Sequence, residues 1–133
     1  KAVLNANYLK HLLMEKYDVP FHNGTMHEFV ISAEKQKQKS FKALDIAKNL
    51  LDFGIHPPTV YFPINIAEAI MIEPTETETK ETLDDFAKIM NYLDENIESK
   101  LDYFKDAPYD TPVRRLNEAK ANRELDVRWK DAV

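Results

Sequence analysis

The chain of 133 residues has no cysteine and only two glycines, Gly24 and Gly54, where average usage would give about nine. Without cysteine there is no disulfide, no thiolate nucleophile and no thiolate-held zinc or iron–sulfur cluster. Two isolated glycines exclude the Gly-rich phosphate loops, which need several in close succession. No stretch reaches the roughly 18 consecutive apolar residues of a membrane span, and no charged-then-apolar leader opens the chain. Basic charge is also scarce where a nucleic acid would need it. The net charge is −5, and residues 67–110 alone carry −9, against +2 on either side. Phosphate backbones require a basic face, so the acidic middle argues against nucleic acid and reads as solvated helix surface.

What is present suffices for a folded body. Apolar residues make up 44% and aromatics 11%, enough for one domain that buries roughly two-thirds of its unfolded surface. The first residue is Lys1, and the helical pattern has begun by Val3–Leu4 without a capping residue. This reads as a piece of a longer chain. Periodicity predicts a helix over Val3–Tyr17, with Leu4, Tyr8, Leu9, Leu12 and Leu13 as its apolar stripe. A strand follows over His27–Ser32, and the polar run Lys35–Lys39 reads as a loop. Ser40 is expected to cap a second helix whose stripe is Ala43, Leu44, Ala47, Leu50 and Leu51, closed by Gly54 in the left-handed region.

Pro57-Pro58 then leads into a strand over Thr59–Phe62, and Ala69–Glu73 forms a third. The strongest pattern is a long helix. Leu83, Phe86, Ala87, Met90, Leu93, Ile97, Leu101 and Phe104 hold one face until Ala107-Pro108 stops it. The order is α-β-α-β-β-α with a tail. Three short strands cannot be buried on both faces, so the expected fold is α+β with helices on one face of the sheet. The divisions expected are a helix over 1–20, an α+β domain over 21–106 and an extended tail over 107–133.

The residues offer no self-sufficient active site. His22 and His27 fall on opposite faces of an extended segment, and His11 has no ligand partner one turn away, so no metal site is expected. His56 stands between a helix end and two prolines, a rigid platform from which an imidazole could face a ligand or simply pack on the prolines. In the Thr75–Thr79 run, threonine oxygens are expected to cap the long helix. Glu73, Glu76 and Glu78 read more simply as capping and dipole residues at its start than as an acid/base pair. Arg114 and Arg115 could hold an anion or form interface ion pairs with the acidic helix.

Several blocks together resemble a known family. They are Asn5–Leu9, His27-Glu28, Leu44–Lys48, Leu51–Thr59, Met71–Lys80 with its Glu-Pro-Thr-Glu core, Thr111–Leu116 and Arg128-Trp129. They are similar to the C-terminal portion of the glycine-decarboxylating P-protein of the glycine cleavage system, most of all to subunit 2 of its two-subunit bacterial form. The run at 35–39 and Asn65-Ile66 depart from the family pattern. The resemblance implies the small C-terminal domain of a fold-type-I enzyme dependent on pyridoxal 5'-phosphate, with the three strands antiparallel. That enzyme decarboxylates glycine and passes the aminomethyl group to the lipoyl arm of H-protein. Its cofactor-binding lysine and phosphate-binding residues lie upstream, so no catalytic or cofactor residue is expected in this chain and the piece should be inactive alone. Expected partners are its own large N-terminal domain, subunit 1 and lipoylated H-protein, in a bacterial cytoplasm, with no nucleic acid and no membrane. Within this chain, His56 and Thr59 are expected to face the cleft, and Arg114, Arg115 and Trp129 to anchor the tail on another domain or subunit. The competing reading is a free-standing ligand-binding or regulatory module that uses the open face of the sheet.

Overall fold

A computed structural model describes residues 1–129. Helix α1 spans Ala2–Leu13, strand β1 Phe29–Ser32, helix α2 Glu34–Gln38 and helix α3 Ala43–Asp52. Strands β2 (Thr59–Val60) and β3 (Ala69–Ile72) precede the long helix α4, Lys80–Asp106, and a short α5, Glu118–Arg123. The sheet has the order β1-β3-β2 and is antiparallel throughout. The α+β expectation holds.

Register explains the burial. Phe29 pairs with Ile72 and Ile31 with Ile70, which puts four large side chains on one face. That face joins Leu9 and Leu13 of α1, Ile46 and Leu50 of α3, and Leu83, Met90, Leu93 and Ile97 of α4 in one core. On the opposite face Met71 is half-buried and Thr59 exposed. α1 therefore shares the core of the whole body.

Tyr17 enters this core behind α1, and its hydroxyl donates to the Met90 carbonyl at 2.8 Å. Burial first, then the nearby Asp94 carboxylate, push its phenol far above the ordinary 10.0. The folded chain keeps a proton that the unfolded chain releases above pH 10, so stability falls as pH rises beyond that point. The slope this group adds is about 1.4 kcal/mol per pH unit. Urea midpoints between pH 9.5 and 11 should fall less steeply in Tyr17→Phe than in the parent. Parallel curves would show that the phenol ionises in place.

Several details differ from the sequence reading. α1 ends at Leu13 rather than Tyr17, because the chain turns there to bring Asp18 beside Ser32 on the sheet edge, where the Ser32 N–H donates to the Asp18 carbonyl at 2.8 Å. Its inward stripe is Asn5, Ala6, Leu9 and Leu13, while Leu4 is 70% exposed. The run at 35–39 falls within a helical turn. Gln36 is buried and donates to the Lys16 carbonyl and Asp94, while Lys35, Lys37 and Lys39 pair with Asp18, Glu68 and Glu98. Ser40 ends α2 instead of capping α3. It adopts φ 65, with Phe41 N–H donating back to the Gln36 carbonyl at 3.1 Å. Finally, β2 stops at Val60, and the tail contains α5.

The start of α3 is capped instead by two buried carboxylates. Asp45 accepts from the Lys42 N–H at 2.9 Å, and Glu68 accepts from the Ala43 N–H at 2.9 Å. Asp45, Asn49 and Asp52 lie at helical spacing along one side of α3. Asn49 donates to the Phe104 carbonyl at 2.7 Å, and Asp52 accepts from the N–H groups of Tyr109 and Asp110. This stripe holds the end of α4 and the chain that follows.

Candidate functional site

The loop after α3 is fixed at both ends. Gly54, at φ 71, lets the Gly54 N–H reach the Leu51 carbonyl and the Ile55 N–H reach the Leu50 carbonyl, the paired closure of a Schellman turn. Pro57 and Pro58 hold the chain extended, and Thr59 then pairs with Met71 in the sheet. His56 is therefore carried on a short span with little backbone freedom.

This loop forms one wall of a cavity of about 820 Å³. The opposite wall is the segment after β3, with Glu73, Pro74 and Glu78, and the first turns of α4. Both His56 and Thr59 are exposed and line it. Phe53, Met71, Phe86 and Ile89 give it an apolar lining. The walls are tied together: Asn5 donates to the Thr75 and Glu78 carbonyls at 2.8 and 3.2 Å, so α1 fixes the segment before α4. Thr79 caps α4, accepting from the Thr82 N–H at 3.2 Å. Beside the cavity, Asp84 accepts from Lys80 at 2.7 Å and from the Tyr8 hydroxyl at 2.5 Å, and these bonds hold its carboxyl below the usual range.

The cap is thus a threonine of the Thr75–Thr79 run, as the sequence suggests. Glu73 and Glu78 line the cavity, and Glu73 lies 4.0 Å from His27 Nε2. Phe86, Ile89 and Asp85 are further lining residues that the sequence reading missed as a site. Phe86 belongs to the long apolar stripe of α4 and Thr82 and Ile89 flank it, so nothing in the pattern separates cavity lining from core.

Arg114 and Arg115 lie far along the chain from this loop, and their bonds run inside it. Arg114 donates to the Asp106 and Pro108 carbonyls and stacks on Tyr109 at 4.4 Å. Arg115 donates to the Ala107 carbonyl and pairs with Asp45 at 3.0 Å. Within the described residues, Arg114 thus caps the last carbonyl of α4 and the ion pair is made by Arg115 with Asp45 of α3. Trp129 is 90% exposed. Among the described residues, no helix is long and apolar enough to cross a membrane.

Comparison with known proteins gives the family of the chain. Residues 1–115 match the family model described as the C-terminal domain of glycine dehydrogenase. A probable glycine dehydrogenase (decarboxylating) subunit 2 of Chloroherpeton thalassium is 51% identical over 128 residues, covering 96% of this chain and 26% of that protein. The protein of the same name from Thermotoga maritima is 52% identical over 130 residues, 97% of this chain and 27% of its own length. That of Bacillus licheniformis is 51% identical over 128 residues, with 96% and 26% covered. The chain therefore spans about a quarter of the length of these curated relatives. A free-standing module is not favoured by a match of this kind. With the family model covering most of its length, the chain belongs to the family of glycine dehydrogenase C-terminal domains.

Proposed function

We propose that this chain is the C-terminal domain of a glycine decarboxylase of the P-protein kind, and that it closes one wall of that enzyme's active-site cleft. The observation that carries this reading is the placement of His56 and Thr59 on one rigid loop, both exposed on the same cavity. Pyridoxal 5'-phosphate itself does not fit here. Among the described residues no lysine or arginine lines the cavity, while Glu73, Glu78 and Asp85 do, and their charges repel a phosphate. This reading therefore assigns the groups that hold the cofactor to the large domain upstream. The domain's own contribution is to shape the cleft, exclude water and offer an imidazole and a hydroxyl to whatever the cleft holds.

Contacts with the remainder of the protein start from α1. Val3, Leu4, Phe21 and Met26 are exposed apolar residues on or near it, in keeping with a first segment that leads in from a large N-terminal domain. Trp129 is the tail residue proposed to reach a second domain or subunit. Subunit 1 and lipoylated H-protein are the partners this reading brings, and a bacterial cytoplasm its compartment.

The test is made in the intact enzyme. His56→Ala should lower glycine decarboxylation by about tenfold or more, the scale of a lost proton-handling group, while the cofactor's absorbance stays unchanged. Full turnover in that variant would remove His56 from the cleft.

A further inference from the structure

The cavity has a property that closing a cleft does not require. Its apolar lining of Phe53, Met71, Phe86 and Ile89 sits under three carboxylates, those of Glu73, Glu78 and Asp85. Asp85 has a cation of its own in Lys88, 2.7 Å away. Glu73 and Glu78 are paired with no lysine or arginine among the described residues, and the cation-forming group near Glu73 is His27, at 4.0 Å. The surrounding stretch, residues 67–110, carries a net charge of −9. An anion is repelled from this place, and a purely apolar occupant would leave carboxylates facing its own surface. A side chain with an apolar body beside a lysine or arginine satisfies both parts of the lining. The volume, about 820 Å³, admits several side chains.

We propose that this groove docks a basic segment of the longer protein, one that lies outside these 133 residues and presents an apolar side chain next to lysine or arginine. The proposal rests on the reading of the chain as a quarter-length domain of a larger enzyme, whose relatives extend well beyond it. A second copy of the groove is disfavoured as occupant, because it would set the same carboxylates against each other.

The experiment uses the full-length protein together with its partner subunit. A zero-length carbodiimide, which joins carboxylates to lysine amines in contact, is applied and the products are mapped by mass spectrometry. The expected products join Glu73 or Glu78 to a lysine outside residues 1–133. Since arginine escapes this reagent, hydrogen exchange is followed in parallel. In Glu73→Lys/Glu78→Lys, exchange over residues 53–59 and 82–89 should quicken by about tenfold, with a smaller change in the glutamine variants. Unchanged exchange in the double variant, or products confined to residues 1–133, to a second copy or to H-protein, would overturn the proposal. Glycine decarboxylation by His56→Ala is scored separately. Loss of that activity with unchanged exchange removes the docking alone, and retained activity with the expected products removes the cleft role alone.

Discussion

Replacing Phe104 with alanine is expected to lower the unfolding free energy by about 3–5 kcal/mol, the range for emptying an aromatic site in a packed core. The ring is 1% exposed and lies between Phe41, at 5.6 Å between centroids, and Tyr92, at 6.0 Å. It sits beyond Lys100, whose φ of −130° and ψ of 20° interrupt the helical geometry of α4, so it is the residue that returns the end of α4 to the body. The neighbours are themselves held: Asn49 bonds the Phe104 carbonyl, and Tyr103 stacks on Tyr109 at 4.5 Å. Little collapse into the vacated space is available, which places the effect toward the upper part of the range. Urea unfolding with an unchanged slope is the measurement. A loss below about 1.5 kcal/mol, no more than a volume-conserving swap costs, would mean that the last turns of α4 are not packed as described.

The second large effect is expected at Glu68. Its carboxylate is nearly buried, accepts the Ala43 N–H at the start of α3 and lies 3.0 Å from Lys37. Its carbonyl accepts the Ala33 N–H at 3.0 Å, so one residue links β3, α2 and α3. Glu68→Ala leaves a buried N–H without a partner and removes a helix cap, together about 2–3 kcal/mol. The figure stays below that of a fully buried ion pair because Lys37 is half-exposed and recovers water. Glu68→Gln keeps an acceptor for the Ala43 N–H and loses only the charge, so it should be destabilised by less than half as much. Equal losses in the two variants would assign the effect to charge and not to the cap. Thermal unfolding at one pH separates the cases.

The elements most legible in the sequence are those whose partners are the core itself. α4 shows a single stripe over many turns, and Gly54 marks the end of α3 because no other residue type takes that φ so readily. Helices on one face of the sheet follow from strands too short to be covered twice. What escaped was anything that depends on a distant partner. Lys35, Lys37 and Lys39 look like a solvated run until Asp18, Glu68 and Glu98 come within reach. Asp45, Asn49 and Asp52 look like an outer face of α3 until the chain beyond α4 lies across it. The cavity was half legible. Its His56 wall stands on local rules of turn and proline, but its other wall is contributed by segments 15 to 30 residues further on. The carboxylates there read as groups at the start of a helix, and only the fold brings Glu73 and Glu78 to the cavity that His56 lines.

The ion pair between Arg115 and Asp45 has one more implication. It pins the backbone at the very residue where the family match ends, and residues 116–129, α5 among them, follow from that point, exposed throughout. This segment has a fixed origin. At about 3.3–3.6 Å per residue its greatest reach is roughly 50 Å. Any surface that Trp129 meets must lie inside a sphere of that radius centred near the beginning of α3.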